Sequence, residues 1–361
     1  MTATPASLAE LQDAVRAAPR VLAVGAGTKP RLAAAADGTR RISTVRLRGI
    51  TEYEPDEYTF TALAGTPVRE IAAALADRGQ YLPFDPPLAA AGATLGGTVA
   101  AGLSGPGRFR YGGLRDFILG VRFVDGDGRL LRMGGKVVKN AAGFDLPKFF
   151  VGSAGRFGVL GELTFKVFPR PAARLTLRLP AAGPAEIAAR FSAIGRARWE
   201  AEALEAVPRN AAVYLRLAGP APALAALARE VLGRWPGEVL SEGTAAEFWA
   251  GVGEFAWAHP GGLLAKVPLG PEQLPALAAL AAGLADGRVH FGAGGSQAFL
   301  SLPAGGEPAR LDAGLRDLGL AGLTLRGDAP LRLGRVADPA VAAAVKRALD
   351  PAGRFPALDP S

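Results

Sequence analysis

Residues 93–105 read A-T-L-G-G-T-V-A-A-G-L-S-G, and 83–87, shortly before them, read P-F-D-P-P. Together they make a stretch of twenty-odd residues with almost no charge, no bulk and no helical periodicity. Such a stretch makes a poor core element. It makes a good binding loop, because small side chains leave backbone donors open to a ligand, and glycine lets the chain approach closely. A solvated glycine linker fits less well, since Thr94, Leu95 and the alanines are unusual in one. The candidate binding residues here are Pro83, Thr94, Leu95, Gly96, Gly97, Gly102, Ser104 and Gly105.

Two other segments share this character. Upstream, 24–29 read V-G-A-G-T-K, a short apolar run ending in small residues. A strand that stops this way exposes successive N–H groups able to wrap a phosphate. Gly25, Ala26 and Gly27 would form the nest, with Thr28 adding a hydroxyl and Lys29 a cation. Alone, the segment reads better as an ordinary turn, and it is neither a G-x-G-x-x-G nor a Walker A loop. Downstream, 134–146 (GGKVVKNAAGFDL) and 152–162 (GSAGRFGVLGE) alternate glycines with an apolar strand entrance. Gly155, Gly158 and Val159 suit backbone hydrogen bonding to the edge of a flat heterocycle.

Around these segments the punctuation predicts regular elements. Residues 7–18 form an amphipathic helix capped by Ser7. Residues 21–24, 42–47 and 59–64 are strands, with 52–57 as a polar turn. Thr66 caps a helix whose first position is Pro67 and which Gly79 ends. Residues 117–124, 130–133 and 161–167 are strands, with a hairpin at Asp125-Gly126-Asp127-Gly128. Pro169-Arg170-Pro171 is the best boundary in the chain. Beyond it strands at 175–179 and 211–217 alternate with helices at 184–195 and 220–234, a βαβ-type pattern suited to a separate α+β layer. A last helix covers 338–349. The fold class is α+β: a two-part domain at 1–171, a cap domain at 172–325, and a C-terminal segment, 326–361, returning to the first.

The 361 residues suffice for two such domains. A net charge of +8 favours anionic partners. The basic residues are dispersed, with no zinc-finger or helix-turn-helix signature, which argues against nucleic acid. The absence of cysteine excludes disulfides, Fe–S ligation and thiolate catalysis in this chain. Residues 1–20 carry acids and no apolar run, unlike a signal peptide, and no stretch approaches the ~20 apolar residues of a membrane span. The expectation is a cytoplasmic protein, peripheral at the inner membrane only through partner subunits.

The order and wording of three stretches carry a resemblance: 49–65 (GITEYEPDEYTFTALAG), 79–113 (GQYLPFDPP…ATLGGTVAAGLSGPGRFRYGG) and 134–168 (GGKVVKNAAGFDLPKFFVGSAGRFGVLGELTFKVF). They resemble the FAD-binding half of the vanillyl-alcohol-oxidase-type flavoproteins, with their PCMH-type FAD domain, and within that family the E subunits of bacterial glycolate oxidase. The likeness covers about the first 170 residues. It implies FAD between two small α/β subdomains, a cap domain over the isoalloxazine, oxidation of a 2-hydroxy acid to a 2-oxo acid, and two partners: a second flavoprotein subunit and an iron–sulfur subunit. It also places Arg110, Tyr111 and Gly112 in the binding region. Arg108, Arg110 and Arg115 fit either a grip on a carboxylate or phosphate, or plain surface solvation.

Departures from the family pattern carry information. Covalent relatives attach FAD through His or Cys in the first or second loop, and neither His259 nor His290 lies there, so FAD is expected to be held non-covalently. Relatives that oxidise D-2-hydroxy acids carry H-x-G-D-G-N-x-H in the cap. Residues 290–297 read H-F-G-A-G-G-S-Q, so the acid, amide and second imidazole become Ala293, Gly295 and Gln297. A lone His holds no divalent ion. The reading is no metal, no catalytic residue assigned in this chain, and His290 merely ending a strand. The closing D-P-x-G-x-F-N-P-G of the family becomes D-P-A-G-R-F-P-A at 350–357, without its Asn. Trp249, Phe255 and Trp257 read as core, with a substrate or partner surface as the alternative. An electron-holding or structural role for this flavin is favoured. The rivals are a self-sufficient oxidase of a hydroxy acid or sugar alcohol, and a flavin-free scaffold.

Overall fold

The computed structural model describes residues 2–34, 37–135, 145–335 and 340–357. The chain divides into two compact units: 1–104 with 113–170 and 337–361, and 105–112 with 171–336.

In the first unit, Ser7 caps the helix Leu8–Arg16, its Oγ accepting the Glu10 N–H at 3.2 Å. The helix buries Leu11 and Val15 against the parallel pair Val21–Val24 and Arg40–Ser43. Phe355, from the far end of the chain, completes that cluster. A five-stranded antiparallel sheet follows, in the order Ile50–Glu54, Thr59–Leu63, Val159–Lys166, Ile118–Val124, Leu130–Gly134. The hairpin between its last two strands closes because Asp125 Oδ1 accepts the N–H groups of Asp127 (3.0 Å) and Arg129 (2.9 Å), while Gly128 takes φ +77°.

Three local expectations change. Thr66 does not cap the helix Val68–Ala76; Pro67 occupies that position. The Thr66 hydroxyl instead bonds Gly49 N (2.9 Å) and Leu63 O (2.7 Å), tying two strand ends together. The strand expected at 42–47 ends at Ser43, because Leu47 N turns back onto Thr44 O. The supposed loop at 93–105 contains a helix, Leu95–Ala101, capped by the Thr94 hydroxyl on Gly97 N and buried at Leu95, Gly96, Thr98, Val99 and Ala101. Its smallness is what lets it sit inside: a Cβ on Gly96 would stand 2.7 Å from Ala64 Cβ.

The second unit is one nine-stranded sheet with every pairing antiparallel, so the alternation of helix and strand builds no parallel βαβ unit. Its order is Glu238–Val239, Ala173–Pro180, Ala212–Gly219, Ala203–Val207, Arg288–Gly292, Gln297–Leu302, Leu263–Pro268, Ala321–Arg326, Arg332–Gly334. Strand alternation sends Leu177, Leu204, Leu215, Phe291, Leu300 and Ala265 to one face. There they pack with Ile187, Leu224, Leu277 and Leu311 of the helices Pro184–Arg196, Ala221–Arg234, Leu274–Ala282 and Pro308–Asp317. The residues between them in sequence, among them Thr176, Tyr214, Glu205, His290 and Lys266, face the other way. On that side Phe248 of the helix Glu242–Gly253 stacks on Tyr214 at 3.7 Å, and Trp249 donates to Thr176 Oγ1.

Candidate functional site

A cleft in the first unit gathers all three glycine-rich segments. Its walls are Ala23–Lys29 with Leu32 and Ala33, residues of the helix Leu95–Ala101 with Thr94 before it, and Ser153–Gly155 with Gly158 and Leu160, and Thr44 and Ala64 complete the lining. Among the described residues, the backbone N–H groups of Gly25, Ala26, Gly27 and Thr28 donate to no protein acceptor. Four successive unengaged donors on residues that line a cleft suit an anion nest. Gly27 makes the turn with φ +74° and open space around its α-carbon. Lys29 is buried at the nest's end, its Nζ 2.9 Å from Thr28 Oγ1. Gly25 must be glycine, since any Cβ there would collide with Thr94 Oγ1.

Of the residues singled out in the sequence, Gly25, Ala26, Gly27, Thr28, Lys29, Thr94, Gly96, Gly97, Gly155 and Gly158 line this cleft. The helix N-terminus is not an open donor set. Leu95 N donates to Thr66 O, Gly96 N to Ala64 O and Gly97 N to Thr94 Oγ1, so this segment contributes shape and smallness. Leu95 and Val159 point into the core. Gly102 caps its helix at φ +61° against Gly152. Ser104 Oγ accepts the Leu114 N–H, and Pro83 stands outside the lining. Gly105, Arg110, Tyr111 and Gly112 belong to the second unit, where Arg110 pairs with Glu200 at 2.8 Å. Residues 136–144 of the third segment lie outside the described residues. Sequence reasoning missed Leu32, Ala33, Thr44 and Ala64, which line the cleft without any motif of their own, and did not single out Ser153 within the third segment.

The second unit's polar sheet face holds chemistry the motifs did not show. His290 does not end its strand; it sits in the middle of Arg288–Gly292, fully buried, with Nε2 2.6 Å from Glu205 Oε2. Glu205 Oε1 also accepts the Ala293 N–H, which fixes the carboxylate, while His290 Nδ1 has no partner among the described residues. Strand registers place His290, Phe299 and Lys266 side by side across three strands. Burial and then the charge of Arg108 depress the Lys266 ammonium from 10.5 to about 8. Phe255 packs edge-on against Phe299, and Trp257 lies 5.5 Å from His290. Elsewhere His259 bridges Ser301 (3.1 Å) and Asp286 (2.8 Å). This triad-like set cannot supply a nucleophile: Ser301 is fully buried and its Oγ already accepts the His259 backbone N–H. No group of three or more His, Asp or Glu among the described residues is arranged to hold a metal ion.

Residues 1–134 match the FAD binding domain family. The matched segment contains two of the cleft's three walls, and the third lies beyond it. The chain is 43% identical over 208 residues to the glycolate oxidase subunit GlcE of Escherichia coli, covering 56% of this chain and 55% of GlcE. It is 33% identical over 186 residues to a D-2-hydroxyglutarate dehydrogenase of Xanthomonas citri, covering 49% of this chain and 39% of that one. It is 33% identical over 128 residues to the glycolate oxidase subunit GlcD of Bacillus subtilis, covering 36% of this chain and 27% of GlcD. The matched segments therefore span about half of GlcE and less of the others. In fold, an alkyldihydroxyacetonephosphate synthase structure superposes with a TM-score of 0.70 at 16% identity, covering 98% of this chain and 76% of the other. No helix among the described residues is long and apolar enough to cross a membrane.

Proposed function

We propose that this chain is the FAD-binding subunit of a glycolate-oxidase-type complex that converts a 2-hydroxy acid to a 2-oxo acid. The observation that carries it is the nest of four unengaged N–H groups with buried Lys29, inside an FAD-binding domain similar to GlcE. The fit to FAD is chemical. A diphosphate needs converging donors and a cation, and the small residues Ala23, Ala64, Gly97 and Ala100 leave room for a flat ring system. Bound flavin supplies two-electron oxidation with one-electron release. Gly25, Ala26, Gly27 and Thr28 would hold the diphosphate, Lys29 would neutralise it, and the apolar walls would exclude water. Neither His259 nor His290 lies in the first or second loop, where covalent relatives carry their anchor, which supports non-covalent attachment. The eroded cap motif supports placing turnover on a partner flavoprotein, with electrons leaving through an iron–sulfur subunit.

The decisive experiment takes the purified full chain, records its visible spectrum, then adds glycolate and D-lactate anaerobically. A flavin spectrum that neither substrate bleaches is expected. A colourless chain that takes up no added FAD would overturn the reading. The pair His290–Glu205, with Lys266 in the same row, favours one rival, a self-sufficient oxidase, because it offers a held imidazole and a cation on one face. Rapid bleaching by either acid would install that rival.

A further inference from the structure

The third wall of the cleft is held in an unusual backbone. Ala154 and Gly155 are both left-handed, at φ +49° and +71°, and alanine adopts that region only when its surroundings enforce it. Two of the enforcing contacts come from the neighbouring helix: Gly152 N on Val99 O (2.9 Å) and Ala154 N on Ala100 O (2.8 Å). A third comes from the far end of the sequence. Lys346, on the helix Ala340–Leu349, directs its three donors at Arg156 O (2.7 Å), Asp350 Oδ2 (2.6 Å) and Phe355 O (3.0 Å). Asp350 is buried and also accepts Arg354 N (2.7 Å) and Phe355 N (2.9 Å), so the ammonium has a fixed counter-charge. Arg156, itself buried, donates from Nη1 to Ala154 O (2.9 Å) and, at the long limit of 3.5 Å, to Leu32 O of the opposite wall.

We infer that Lys346 is a positioning residue for the flavin: a C-terminal latch that clamps the Arg156 carbonyl and so holds Ala154-Gly155 open at the cleft. The inference rests on the reading of the cleft as the FAD site. A lysine is required because an ammonium can satisfy a carboxylate and two carbonyls at once. The latch closes the contact over 190 residues of sequence, which couples the end of the chain to the cofactor wall.

The test measures FAD affinity of the full chain by fluorescence quenching, with amide exchange as a second readout. Lys346→Met should weaken FAD binding about tenfold and speed exchange at 152–158, leaving exchange in the helix Val68–Ala76 of the same unit unchanged. Ala154→Gly, which adopts the left-handed backbone without strain, should recover most of the affinity in the Lys346→Met background; a lysine that only added global stability would instead speed exchange in Val68–Ala76 as well. If Lys346→Met does not fold, Asp350→Asn loosens the same ammonium and should give the same pattern. Wild-type chain that binds no FAD sinks the cleft reading and the latch with it. Wild-type chain that binds, with Lys346→Met binding equally well or without exchange at 152–158 changing, sinks the latch alone.

Discussion

Replacing Lys266 by methionine should stabilise the second unit, against the usual expectation for a buried substitution. The lysine stands mid-strand between Phe299 and Leu323, and its ammonium is depressed to about 8 by burial and by Arg108. In the unfolded chain it titrates near 10.5. Between those values the unfolded state binds more protons than the folded one, so stability rises with pH across that window. Below pH 8 the full cost of keeping the charge inside is present. At ~1.4 kcal/mol per pKa unit the depression corresponds to about 3 kcal/mol, and solvent contact of the partly exposed residue lowers this to about 2–3 kcal/mol. Methionine keeps the length and apolar stem and removes the charge. Urea unfolding followed by tryptophan fluorescence reads this unit selectively, since Trp199, Trp235, Trp249 and Trp257 all belong to it. Lys266→Met should gain about 2–3 kcal/mol at pH 7, and the gap should shrink toward pH 10.5. A variant no more stable than wild type at pH 7, or a wild type whose stability is flat from pH 8 to 10, would refute the reasoning.

Other outcomes follow from the same contacts. Gly97→Asp should abolish flavin uptake with the first unit folded, as seen by absorbance and circular dichroism. Gly96→Asp should instead destabilise that unit by at least ~1–3 kcal/mol, because its Cβ has no room beside Ala64. Glu202→Gln should cost the second unit roughly 3 kcal/mol in urea, since Arg216 (2.6 Å) and Arg174 (2.8 Å) both pair with this fully buried carboxylate; a loss under 1 kcal/mol would show the cluster is better solvated than its burial indicates. Acid or heat precipitation should release intact FAD into the supernatant, and colour remaining with the polypeptide would contradict non-covalent attachment.

What the sequence by itself determined is tied to short-range chemistry. Ser7, the Asp125–Gly128 turn and the strand ending at Gly25 were legible because caps, hairpins and nests are made by residues within a few positions of each other. The same locality made the three glycine-rich segments legible as one cofactor domain, through wording shared with a known family. Tertiary structure alone decided what each glycine's smallness serves: Gly96 and Gly97 both border the cleft, but a Cβ on Gly96 would also run into Ala64, while one on Gly97 would meet only the Thr94 hydroxyl. The helix Leu95–Ala101 was hidden for a related reason. Glycine and threonine are poor helix formers, and packing against the sheet overrides that preference. Glu205 and His290 are 85 positions apart, and Lys346 and Arg156 are 190 apart. No local pattern links such pairs. A buried charge or imidazole selects its partner only after the strands and the C-terminal helix have come together, because only then is water gone and an uncompensated polar group costly.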